Sequence, residues 1–336
     1  MRCMTRPRVR IVTPALAAAN NGNWHTAERW QGFLSPTADT DIALDWDGEP
    51  VDALIALHAR RSAESIEQFH RAYAERPLAL VLTGTDLYRD LDTDLKAQHS
   101  VEFASHLVVL QQEALKHLSE SVRAKARCIV QSASQWAAKD TVEACDFIAV
   151  GHLRSEKDPV TLMDAARLLP PDSTITIVHI GAPLDDALAA HARLTMADCA
   201  RYRWLGGLAA TPTRDRIASA RALIHMSRLE GGANVVIEAI RSKVPVLASR
   251  IDGNVGLLGP NYDGYFPVGN AAALAALMQR FMREPTFAAT LAAQCAAREP
   301  LFSPECESAA VNGLLLDMLQ GSPQTMQTTV SKDNTP

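Results

Sequence analysis

The stretch 227–248, SRLEGGANVVIEAIRSKVPVLA, with the run that leads into it, constrains the fold more than any other part of the chain. An apolar run, Ala222-Leu223-Ile224-His225, reads as a short buried strand, and Gly231 and Gly232 then break the pattern. From Asn234 the apolar residues Val235, Val236, Ala239 and Ile240 recur at helical spacing, with Asn234 suited to cap the helix. Pro245 ends that helix, and Val246-Leu247-Ala248 reads as the next buried strand. Strand, glycine turn, helix and strand in that order are the repeating unit of an α/β sheet. Two carboxylates frame the turn, Glu230 before the glycines and Glu238 inside the helix, with seven residues between them.

Glycines let a backbone approach a ligand closely, and the free N–H groups at a helix start attract a diphosphate. A carboxylate only accepts hydrogen bonds, so it suits the hydroxyls of a sugar or ribose. Two glutamates at this spacing can hold the two ends of one nucleotide-sugar. The same string also fits any strand–turn–helix unit with exposed glutamates, so the spacing alone leaves both readings open.

The rest of the chain repeats the alternation. Buried strands are expected at 9–13, 53–57, 78–83, 107–110 and 128–131, with helices between them such as 62–74. A small-residue loop after the first strand, ending Asn20-Asn21-Gly22-Asn23, lies at a helix start. It reads equally as an anion seat, with Gly22 and Asn23 on the donor, or as a polar capped turn. A second half starts near Phe147. It runs through helix 159–169, strand 175–180, helix 185–197, strand 202–205 and helix 212–220. Gly-rich turns are expected from Gly253 to Gly269, then helices 271–283 and 285–298 and a last one after Pro304. The fold class read here is α/β with two Rossmann-like domains facing each other across a cleft. The expected division is 1–140, 141–303, a helix 304–320 packing back on the first domain, and a disordered polar tail 321–336.

With 336 residues the chain suits two domains of about 150 each. A net charge of −5 offers no basic field to nucleic acid or an anionic membrane. No apolar run approaches the ~18–20 residues of a membrane span, and the basic start leads directly into a strand, so no signal peptide is expected. Six cysteines without CxxC spacing read as thiols of a reducing cytoplasm. No HExxH motif or Cys/His cluster supports a metal site, so metal ligands and cofactors are expected to be none.

The string at 230–248, Glu-Gly followed by Glu-Ala and Pro-Val, resembles the retaining GT-B glycosyltransferases of the GT4 type. VGHLRSEKDP, from Val150 to Pro159, resembles the segment opening their second domain, where an Arg and a Lys clamp the donor diphosphate. Lys157 matches the lysine; a plain surface lysine is the other reading. The Arg position holds His152, which carries only part of a charge at pH 7 and weakens that half of the clamp. Arg154, two residues on, is a substitute. Longer strings, NGNWHTAERW, LIALHARRSA, LVLTGTDLYRDL, EGGANVVIEAI and GLLGPNYDGYFPVG, resemble one bacterial subfamily, the selenosugar synthases of the selenoneine pathway, over about residues 8–318.

The resemblance implies transfer from a UDP-sugar, UDP-GlcNAc or UDP-glucose, to selenophosphate, giving a C–Se bond and a 1-selenosugar. Glu230, Lys157 and His152 then carry catalysis. Glu238, Gly231, Gly232, Asn234, Val235, Arg154, Gly22 and Asn23 hold the donor. For the acceptor, His58, Arg60 and Arg61 after a strand end form a charged knot, and an Arg pair grips phosphate in a forked geometry. The same arginines also read as a solvated helix start. Thr85 and Asp86 either complete that pocket or cap a turn. A soft selenium anion is already nucleophilic, so the lack of an evident general base is no obstacle. Competing readings are an O-glycosyltransferase on a small soluble acceptor, a UDP-GlcNAc 2-epimerase-like isomerase, and a non-catalytic nucleotide-sugar binder. The sequence leaves the preferred sugar and the oligomeric state open.

Overall fold

The structure, a computed structural model, describes residues 6–17 and 22–320. The expectations for Asn20, Asn21 and the tail 321–336 lie outside those residues. In the first half, Arg8–Val12 (β1), Asp39–Ala43 (β2), Ala53–Leu57 (β3), Leu78–Leu82 (β4), His106–Val109 (β5) and Ala126–Cys128 (β6) form one sheet. Its order is β2-β1-β3-β4-β5-β6, and every pair is parallel. Helices Gly22–Leu34 (α1), Ala63–Ala72 (α2), Leu91–Thr93 (α3), Leu95–Phe103 (α4) and Glu120–Arg123 (α5) belong to this half. β3 and β4, ALIAL and LALVL, are buried at every position. Such unbroken apolar strands belong to a parallel sheet covered on both faces. Phe69 and Trp46 pack on one face, Trp30 and Leu314 on the other.

The second sheet contains Cys145–Val150 (β7), Ile177–Ile180 (β8), Tyr202–Trp204 (β9), Ala220–His225 (β10), Val246–Ser249 (β11) and Tyr265–Phe266 (β12). Its order is β12-β11-β10-β7-β8-β9, again all parallel. Its helices are Pro159–Leu168 (α6), Asp186–Asp198 (α7), Ala210–Ala218 (α8), Asn234–Arg241 (α9), Asp252–Leu258 (α10), Ala271–Arg283 (α11) and Pro285–Arg298 (α12). Strand order reverses between β1 and β3 in one half and between β7 and β10 in the other. Ligands of open α/β sheets bind beyond the carboxyl ends of the strands at such points. The last helix, Pro304–Gln320 (α13), returns to the first half. There the buried Glu307 accepts from Arg29 Nε (3.0 Å), Trp30 Nε1 (2.9 Å) and Ser132 N (2.7 Å).

Three local expectations are corrected. The segment after Gly253 opens as helix α10, not as turns. Its glycines permit contact: a Cβ on Gly253 would lie 2.9 Å from Glu230 Cβ, and one on Gly256 2.7 Å from Gln111 Cδ. β2 passed unread because DTDIA is a polar, partly exposed edge strand. β6 starts two residues before the apolar run that announced it, because register follows pairing with β5 and not composition.

Candidate functional site

Glu230 lies in the loop between β10 and α9, beyond the carboxyl end of the strand that flanks β7. The opposite wall is the single turn Ser155–Lys157. The two are tied by backbone: Arg228 N donates to Glu156 O (2.9 Å), and Arg228 Nη2 to Asp158 Oδ1 (3.1 Å). Asp158 takes the left-handed conformation, φ 48°, directly after the lysine and before Pro159 at the start of α6. That kink delivers Lys157 to Glu230, where Nζ donates to Oε1. His225 Nε2 lies 3.4 Å from the same oxygen. Burial by itself raises a carboxyl pKa, but Lys157 and then His225 outweigh it. The Glu230 carboxyl is held well below the usual range and stays ionised.

The start of α9 forms the next wall. Asn234 does not cap it; Ala233 occupies the cap position without a side-chain bond, and Asn234 is the first helical residue. The expected cap is therefore corrected, with a consequence: the first N–H groups of α9 are left without a side-chain acceptor. Asn234 Oδ1 is itself buried without a partner among the described residues. A Cβ on Gly22 would lie 3.6 Å from Asn234 Nδ2, so the starts of α1 and α9 face each other. Asn23 is half-buried there, and Val235 packs partly into the second core. One turn into α9, Glu238 Oε1 accepts from Arg214 Nε of α8 (3.1 Å).

The expected clamp changes composition. His152 Nδ1 accepts from Ala182 N (3.1 Å), which joins the loops after β7 and β8. Burial, then Arg154 and Lys157, push its pKa down, so the ring is neutral and brings no charge to an anion. The doubt that His152 casts on that half of the clamp therefore stands. Arg154 Nε is buried with no partner among the described residues.

Across the cleft the first half closes onto this loop. A Cβ on Gly84 would lie 2.7 Å from Gly231 N, and one on Gly232 2.9 Å from Leu110 Cβ. Arg89 Nη1 pairs with Glu156 Oε1 (3.5 Å), and His117 Nε2 with Asp252 Oδ2 (2.6 Å). Tyr88, on the π-helical turn Asp86–Asp90, accepts from Gln111 Nε2 (2.8 Å) and meets the His117 ring edge-on at 4.8 Å. Between the halves lies a cavity of about 280 Å³ lined by Tyr88, Arg228, Leu229, Glu230, Ile251, Asp252 and Gly253.

None of the five residues expected at the acceptor lines that cavity. Asp86 does not cap a helix; Thr85 holds that position. The Asp86 carboxylate is consumed by the N–H groups of Ala59 (3.0 Å), Thr83 (2.9 Å) and Gly84 (2.8 Å). His58, at φ 75°, is buried against Thr85 Oγ1 (3.1 Å), and burial pushes its pKa down although Asp86 is near. Arg60 turns to Asp90 (3.3 Å), while Arg61 is exposed. The two arginines thus do not form a fork in this structure. The sequence reading missed His225, Arg228, Tyr88, Arg214 and Asp252. His225 and Arg228 had a signal, five and two residues before Glu230; the others come from distant elements.

Comparison with known proteins agrees with this geometry. Residues 135–298 match the family described as Glycosyl transferases group 1. HepE of Anabaena, solved with UDP-glucose, superposes with a TM-score of 0.76 at 14% identity, over 93% of this chain and 100% of that one. Sucrose-phosphate synthase of Thermosynechococcus elongatus gives 0.75 at 15%, over 95% of this chain and 100% of that one. TarM of S. aureus, solved with UDP and alpha-GlcNAc-glycerol, gives 0.63 at 15% over 80% of this chain, which spans only 55% of TarM. Among the described residues no helix is long and apolar enough to cross a membrane. With two parallel six-stranded sheets that match GT-B structures, and residues 135–298 matching the glycosyl transferases group 1 family, the chain has the GT-B fold.

Proposed function

We propose that the enzyme moves a sugar from a UDP-sugar, UDP-GlcNAc or UDP-glucose, to selenophosphate in a reducing cytoplasm. The observation that carries the donor half is Glu230, held by Lys157 at the wall of the interdomain cavity and beside the uncapped start of α9. The diphosphate lies on that helix start, with Lys157 and Arg154 neutralising it, so no divalent ion is needed. Glu230 accepts from a hydroxyl of the sugar and Glu238 from the ribose.

Selenium attacks the anomeric carbon while the carbon–oxygen bond to the β-phosphate breaks, and UDP leaves with the electron pair. Water then splits the Se–P bond, leaving a 1-selenosugar and phosphate. The acceptor rests on the likeness of the long sequence strings, and in the cavity Arg228 is the cation that meets it. The test is incubation with several UDP-sugars, with and without selenophosphate, and product identification by mass spectrometry. The expected product is the selenosugar with equimolar UDP; UDP-sugar conversion without any acceptor would favour an isomerase.

One observation favours a second reading, transfer to a hydroxyl. Asp252 lines the cavity and is paired with His117, a carboxylate–imidazole pair that can take a hydroxyl proton. Turnover with small polyols, lost in Asp252→Asn, and none with selenophosphate would establish it.

A further inference from the structure

Both described partners of Glu230, Lys157 and His225, contact Oε1, and Oε2 has none among the described residues. His225 closes β10 and is 2% exposed. Its Nδ1 lies 2.9 Å from Asn254 Oδ1. The amide of Asn254 is fixed in turn, because its Nδ2 donates to Ser249 O (2.8 Å). Oδ1 can only accept, so the proton between them belongs to the imidazole Nδ1. That leaves Nε2 between Ser227 Oγ (3.3 Å) and Glu230 Oε1 (3.4 Å). A neutral ring takes the serine proton, whereas a charged ring donates to the glutamate.

We propose that His225 is a positioning residue for sugar transfer: with Lys157 it anchors Oε1 of Glu230, so that Oε2 faces the interdomain cavity and accepts from a donor-sugar hydroxyl. The inference rests on the UDP-sugar reading above. The depressed carboxyl of Glu230 agrees with it. Asn254 is then part of the same device, since it fixes which ring nitrogen is left for the glutamate.

The test uses His225→Leu, which removes both ring nitrogens, and His225→Gln, which keeps one N–H donor. UDP affinity is measured by calorimetry, transfer kinetics with the UDP-sugar varied, and folding by melting temperature. The expected result is UDP affinity within about twofold of wild type in both. Turnover per KM should fall on the order of 10–100-fold in the leucine variant and recover in part in the glutamine variant. In a Glu230→Gln background the leucine change should cost less than about threefold, because the carboxylate it acts through has gone. Equal, additive losses in both backgrounds would overturn the proposal and leave His225 to the fold alone. Should the leucine variant not fold, nitrogen NMR of the imidazole decides. Protons on both Nδ1 and Nε2, with an Nε2 signal that moves in Glu230→Gln, support the role; an Nε2 that carries no proton and only accepts from Ser227 defeats it. That measurement needs no substrate, so a chain that binds no UDP sinks the donor reading and leaves the positioning to be decided separately.

Discussion

Replacing Gly231 by alanine tests whether closure of the two halves onto one backbone contact is required for transfer. The added Cβ would overlap Thr83 O and lie 2.7 Å from Gly84 N, both main-chain atoms of the facing half. Ordinary carbon contacts begin near 3.5 Å, so the halves must part by about 1 Å. No side chain can rotate away to absorb it. Misplacing reacting groups by that distance costs on the order of 100-fold in rate, about 2.7 kcal/mol at 1.36 kcal/mol per tenfold. Gly231 is a cleaner site than Gly84, whose φ of 135° would add backbone strain to any substitution. Gly32→Ala on α1 is the control, since its Cβ meets nothing within 4 Å and glycine inside a helix is mildly destabilising. The assay is steady-state transfer alongside UDP calorimetry and melting temperature. Turnover should drop about 100-fold in Gly231→Ala, beyond any loss of UDP affinity. Wild-type turnover in that variant would refute the requirement for this contact.

Four further outcomes are expected. Glu238→Ala should weaken UDP binding by about 1.5–3 kcal/mol, whereas Glu230→Ala should spare it and lower turnover; calorimetry with UDP alone separates them, and equal losses would refute the division of labour. Activity should survive excess EDTA, and full inactivation reversed by Mn²⁺ would contradict the proposed metal-free diphosphate seat. Arg228→Ala should raise the acceptor KM while Arg60→Ala and Arg61→Ala leave it unchanged; the reverse ranking in kinetics with both substrates varied would restore the arginine fork. Finally, burial pushes the His179 pKa down to about 4, so the unfolded chain binds that proton first. This contribution is complete above about pH 6.5 and lost as pH falls toward 4, roughly 3 kcal/mol in all. Melting temperature across that window should fall more steeply in wild type than in His179→Asn, and parallel curves would count against it.

What the sequence disclosed, and what it withheld, follows from how far each signal reaches along the chain. Helices α11 and α12 are bounded by local chemistry, Asn270 as a side-chain cap and Pro285 at a first turn, and both were placed to the residue. β3 and β4 are read just as directly, because strands buried on both faces are apolar at every position. Glu230, Lys157 and Glu238 stood out because they sit in two short strings around one switch point. Reading failed where a residue's meaning is set by its partner in space. The glycines of α10 look like turn formers, yet they are there because Glu230 and Gln111 press on that helix. Asp86 looks like a cap or a ligand contact, and it is a brace for three backbone N–H groups of neighbouring loops.

The same limit explains the acceptor site, and it leads to a statement about how the cleft is built. Arg60 and Arg61 form a convincing pair in sequence, but Asp90 in the π-helical turn takes the first of them. That same turn sends Tyr88 into the cavity and Arg89 across to Glu156. One short segment therefore neutralises a cation, supplies a wall of the cavity and bonds the two halves together. The proposed donor end is organised differently, with Lys157, Arg154 and Glu230 in the loops after β7 and β10 and Glu238 in α9. Any change that straightens the turn at Asp86–Asp90 should thus disturb acceptor binding and domain closure at once.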